Sequence, residues 1–119
     1  YSRGSVPATT LGMLQKGITS VTAASKTTYT AVAGDQIVVD TVANPVTITL
    51  PASPAVGDEV TIMDGSASNG FATNNCIIDR NSQPIEGSAA NDTLATNNQC
   101  VTLIYANATK GWLYKSTNQ

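Results

Sequence analysis

The chain contains no histidine in its 119 residues. That removes the side chain most often used near neutral pH as a general base and as a metal ligand. Charge of either sign is scarce: 12% of residues are charged and the formal net charge is −2, where ordinary domains carry about twice that charged share. The cations Arg3, Lys16, Lys26, Arg80, Lys110 and Lys115 are scattered along the chain. A nucleic-acid-binding face needs clustered cations to displace counterions from phosphates, so that class of partner is excluded. No apolar run approaches the ~20 residues that span a bilayer, so no membrane insertion is expected, and no secretory leader pattern is present.

Catalytic motifs are missing as well. No serine sits in a G-x-S-x-G elbow. The loop Gly65–Ser–Ala–Ser–Asn–Gly70 lacks the Lys and Ser/Thr ending of a phosphate-binding loop and reads as a polar turn. Asp35, Asp40, Asp58, Glu59 and Asp64 all fall at strand ends or turns, where acids are expected because they bond to nearby backbone N–H groups. Asp58, Glu59 and Asp64 are rich enough in oxygen to consider calcium, but their spacing matches no EF-hand loop. A glycosidase pair among these acids rests on nothing beyond their number. The chain is therefore expected to be no enzyme and to hold no metal and no cofactor.

Thr, Ser and Asn fill the place that Lys and Glu usually take. Threonine suits an exposed strand face because its branched Cβ fits the pleat while its hydroxyl stays wet. Strand signals arrive every eight to twelve residues or so. Thr27–Val32 alternates, and Gln36–Asp40 is a short apolar run. Val46–Thr–Ile–Thr–Leu50 is the cleanest period-two stretch, ended by Pro51. Glu59–Asp64, Cys76–Arg80, Pro84–Glu86, Asp92–Ala95 and Gln99–Ala106 follow, and Asn107–Gly111 turns the chain into a last strand over Gly111–Lys115. This pattern predicts an all-β fold: a small antiparallel β-sandwich or jelly-roll-like barrel over residues 27–119, with an extended N-terminal arm over residues 1–26.

The arm carries Val6, Leu11, Met13, Leu14 and Ile18. Gly12 and Gly17 argue against a helix there. Apolar residues that cannot build their own core must pack on something else, either the same domain or another copy of it. Two aromatics are candidate ligand contacts: Phe71, in an otherwise polar loop, and Trp112, in the last hairpin. Either would anchor a sugar-binding face, though Trp112 also suits packing across strands. Asn91–Asp–Thr93 and Asn107–Ala–Thr109 match the glycosylation acceptor pattern, as chance allows in a chain so rich in Asn and Thr. Cys76 and Cys100 read either as two small buried apolar residues or as one disulfide.

Several short motifs are shared with known proteins. Tyr29–Thr–Ala–Val–Ala–Gly–Asp35, Val46–Thr–Ile–Thr–Leu–Pro51 and Val56–Gly–Asp–Glu–Val60 come first. Phe71–Ala–Thr–Asn–Asn–Cys–Ile–Ile–Asp–Arg–Asn81, Val101–Thr–Leu–Ile–Tyr105 and Gly111–Trp112 complete the set. Over about residues 27–115 the chain resembles a β-rich module of tailed-bacteriophage virion proteins, found in tail fibres, surface appendages and capsid decoration. The resemblance implies a non-enzymatic structural protein of the virion surface. It would act in assembly, often as a homotrimer bound to other virion proteins, and in host attachment through a surface glycan. It carries over no catalytic or ligand residue. A carbohydrate-binding or adhesive module of a bacterial surface protein is the alternative expectation.

Overall fold

Apolar residues in this chain recur at every second position in runs of three to eight, which commits each run to a strand with one face inward. The computed structural model describes residues 17–118 and contains nine strands there: β1 Ile18–Thr22, β2 Thr28–Thr30, β3 Gln36–Asp40, β4 Val46–Thr49, β5 Glu59–Asp64, β6 Cys76–Asp79, β7 Asp92–Leu94, β8 Cys100–Asn107 and β9 Gly111–Asn118. No helix occurs among the described residues.

The strands form two mixed sheets, ordered β1-β3-β5-β8-β9 and β2-β4-β6-β7. Up to β6 the chain visits the sheets in turn, odd strands in one and even strands in the other. Each return therefore lays a strand parallel to its predecessor: Ile18 lies beside Gln36, Gln36 beside Thr61, Thr28 beside Thr47, and Val46 beside Cys76. Parallel neighbours need a long crossover, usually a helix. Here the crossover is a strand of the opposite sheet, so the first six strands wind as a short coil. β7, β8 and β9 then close it with antiparallel pairings to β6, β5 and β8.

The all-β expectation holds. Antiparallel pairing does not: β1, β3 and β5 run parallel to one another, as do β2, β4 and β6. Period-two alternation tells which side chains point inward but not which strand lies alongside or in which direction. The domain boundary also moves. The expected arm extended to residue 26, yet Ile18–Thr22 is a paired strand, and Val21 and Ala23 are buried in the core. Stripping residues 1–26 would remove a sheet edge. Val6, Leu11, Met13 and Leu14 lie outside the described residues.

One apolar core joins the inner faces of both sheets. Ile37 and Val39, Val46 and Ile48, Val60 and Ile62, and Val101 and Leu103 contribute in pairs, all fully buried. Each such side chain contributes about 1.5–3 kcal/mol by leaving water. Trp112 is the largest of the fully buried residues and meets Tyr105 edge-on, with ring centroids 5.5 Å apart and planes at 67°. The segment between β6 and β7 closes over it: the Trp112 amide donates to the Pro84 carbonyl at 2.8 Å, and the Glu86 amide donates to the Trp112 carbonyl at 2.8 Å.

That closure depends on Gly111. Its φ is +68°, and a Cβ there would stand 1.9 Å from the Pro84 carbonyl oxygen, a backbone atom. A side chain meets both a left-handed backbone and a steric wall. Gly111→Ala is expected to lower unfolding free energy by about 2 kcal/mol or more. Chemical denaturation would measure this, and a loss no larger than an exposed Gly-to-Ala change would contradict the packing described.

Candidate functional site

All eight carboxylates of the chain accept a hydrogen bond from the protein itself. Asp40, Asp58 and Asp79 accept the amides of Val42, Ala55 and Asn81, each at 2.9 Å, in tight turns. Asp35 accepts the Val32 amide at 2.9 Å and the Tyr29 hydroxyl at 2.8 Å. Glu59 on β5 pairs with Lys115 on β9 at 2.9 Å, over the intervening β8. No group of three metal-ligating acids or thiols forms among the described residues. Asp58–Glu59 and Asp64 stand at opposite ends of β5, about 17 Å apart at strand rise, so they do not converge on an ion.

Asp64 joins the most distant segments. Its carboxylate accepts the Ser66 amide at 3.0 Å, the Phe71 amide at 3.1 Å and the Asn98 amide at 3.0 Å. Burial would raise its pKa, but the amides of Ser66, Phe71 and Asn98 and the Ser66 hydroxyl outweigh it and hold the carboxyl below the usual 3.8. Gly70 makes room, since a Cβ there would sit 2.3 Å from Asp64 Oδ2. The Asp–Gly–Ser sequence announces the local turn; nothing in it announces the bond to Asn98.

Phe71 and Trp112 do not serve as ligand platforms. Both are 0% exposed. The Asp64 bond draws the Phe71 backbone inward, and the 84–87 segment covers Trp112. Set against known proteins, the chain matches no protein-family model and no curated protein.

Among the described residues the sheets end in β1 and β2 on one side and in β9 and β7 on the other. β1 and β2 are the first strands of their sheets, and among the described residues neither has a neighbour on its outer side. Their outward N–H and C=O groups form a template for another strand. Natural edges are blunted by Lys, Pro or bulges, yet β1 reads Ile–Thr–Ser–Val–Thr in unbroken register with β3. Ile18, the arm residue the structure does describe, heads β1 at 63% exposure. Val32 at 54% and Val56 at 75% lie in the links to β3 and β5, at the same end of the coil. Tyr29, half-buried on β2, closes the core beneath this edge, with the Lys26 ammonium 5.4 Å from its ring centre. Its hydroxyl pKa is raised because Asp35 accepts its proton and because it is partly buried.

The cysteines are free thiols, Cys76 buried and Cys100 half-buried. They stand in different sheets. Burial first, and the Asp64 charge second, push the Cys76 thiol up to about 12. Cys76 is expected to resist a thiol reagent in the native chain at neutral pH and to react after denaturation; rapid native labelling at both cysteines would contradict this. Asp64→Asn is expected to cost about 3 kcal/mol at neutral pH, because three amides lose a charged acceptor. The folded carboxyl titrates below the unfolded value. Its contribution is therefore complete above about pH 4 and lost as pH falls through the folded pKa. Denaturation of the wild type and the variant across pH should show the gap closing only in acid.

Proposed function

We propose that the chain is a non-enzymatic structural module of a tailed-phage virion surface, built to assemble with copies of itself through its N-terminal edge. The observation that carries this reading is that open edge. β1 ends its sheet without a Lys, a Pro or a bulge to keep it from pairing, and residues 1–16 precede it in the chain. Val6, Leu11, Met13 and Leu14 are the apolar residues that this arm brings to a partner, by strand addition or by filling a groove.

Other features support the role. Every acid is engaged in holding a turn, a hydroxyl, an amide or a lysine, which leaves none set aside for chemistry. Among the described residues one salt bridge forms, so stability depends little on ionic strength. The two sheets pack as a sandwich wound from parallel coils, rigid enough for a particle surface. Cyclic symmetry would set three arms about one axis, as a homotrimer within a fibre, an appendage or a decoration site, alongside other virion proteins.

Light scattering over a range of concentrations tests this. The intact chain is expected to be a concentration-independent trimer. A chain beginning at Gly17 should remain folded by circular dichroism but run as a monomer. A monomeric intact chain, or a truncated chain that stays trimeric, would sink the reading.

A further inference from the structure

Each winding of the coil returns a strand to its own sheet after a definite advance along the chain. Ile18 lies beside Gln36 and Thr28 beside Thr47, advances of 18 and 19 residues. Later windings are longer, with Gln36 beside Thr61 and Val46 beside Cys76, because the links between their strands are longer.

β2 is where the second sheet is incomplete. The Ala31 amide donates to the Thr49 carbonyl and the Thr47 amide to the Thr27 carbonyl, each at 2.8 Å, so the odd residues of this stretch face β4. Alternation turns the N–H and C=O groups of Thr28 and Thr30 to the other side, where no strand lies among the described residues. The inward side chains run in a row across the sheet, Tyr29 beside Ile48 and Ile48 beside Ile78. Ile48 and Ile78 are fully buried, whereas Tyr29 at the end of the row is half-buried.

The segment one winding before β2 has the pattern that continues this row. Thr10–Leu–Gly12 precedes Thr28–Tyr–Thr30 by 18 residues. In that register Leu11 extends the row of Tyr29, and Met13 falls beside the buried Ala31. The same step back from β1 puts Arg3 in line with the buried Val21, a charge that a core row does not accept. The arm therefore suits the edge of β2 and not that of β1.

We propose that residues 10–13 of a second copy add a parallel strand to the outer side of β2, with Thr10 beside Thr28, Leu11 beside Tyr29 and Gly12 beside Thr30. This rests on the assembly through the N-terminal arm proposed above. An element exchanged between identical chains makes the contacts that the winding prescribes for it, and a head-to-tail exchange closes as a ring of three. Leu11 displaces the Lys26 ammonium, which lies 5.4 Å from the Tyr29 ring centre. A cation over a partly exposed ring contributes less than the burial of a leucine.

The test is disulfide trapping in the full chain, with Cys100→Ser removing the half-buried thiol. Thr10→Cys with Thr28→Cys puts two thiols on neighbouring strands about 4.8 Å apart, within disulfide reach. Gly12→Cys with Thr30→Cys is a second pair in the same register. Thr10→Cys with Thr30→Cys is out of register, beyond the limit of about 7 Å. Thr28 and Thr30 are exposed, so their substitution removes no core contact. Light scattering under reductant gives the mass of the wild type and of each variant. On oxidation both in-register pairs are expected to give a ladder up to a covalent trimer on a denaturing gel, and the third pair a monomer. A disulfide closed within one chain would overturn the proposal, because the segment would then cover its own β2. A trimer in which neither in-register pair cross-links, or one in which all three pairs do, would overturn it equally. In these outcomes the trimer survives, so the assembly reading stands while the register falls. A monomeric wild type overturns both.

Discussion

The carboxylate of Asp64 ties together three stretches of chain that the strand pairings leave apart. It closes its own turn through Ser66, pulls the Phe71 backbone inward from the loop toward β6, and anchors Asn98 in the turn leading into β8. A charged acceptor shared by three amides is stronger than any neutral turn contact. Phe71 is thereby delivered into the core, and β8 enters at the register that places Val101 opposite Ile62. The buried Cys76 and the excluded Gly70 side chain are consequences of the same packing.

Around that anchor, the coil solves a problem of parallel pairing. Parallel strands are slow to find each other because the connecting loop must close first. Here each crossover contains a strand of the opposite sheet, so closing one sheet also advances the other. The antiparallel β8–β9 hairpin then adds the longest strands in the protein and supplies Trp112 and Tyr105 to the core. The Trp112 indole nitrogen is the one buried side-chain polar atom without a partner among the described residues. A ring that buries so much apolar surface offsets that cost.

The two ends of the sheets differ in character. Among the described residues β1 and β2 have no strand on their outer side, and their side chains are mostly Thr and Ser, with Ile18 exposed at the head of β1. At β9 and β7 the Tyr114 hydroxyl donates to Asp92 and links one sheet to the other. Burial first, and the Asp92 bond second, hold the Tyr114 hydroxyl protonated well above its ordinary range, so the bridge persists at any physiological pH.

Much of this was legible in the residues alone. Period-two runs such as Val46–Leu50 and Gln99–Ala106 identified the strands and their inward faces, because alternation is a local property of the backbone. The acids at strand ends were readable as turn residues for the same reason. The direction of pairing was not readable, since a strand looks alike whether its neighbour runs with it or against it. Phe71 looked exposed because its sequence neighbours are polar; a carboxylate seven residues away buries it. Ile18 looked like part of a free arm because only β3, arriving later in the chain, gives β1 something to pair with. Composition and periodicity determined that this protein is all-β, short-stranded and sparsely charged. Which strands lie side by side, which aromatics are buried and which edges stay open were decided by contacts between residues far apart in sequence, which no local pattern encodes.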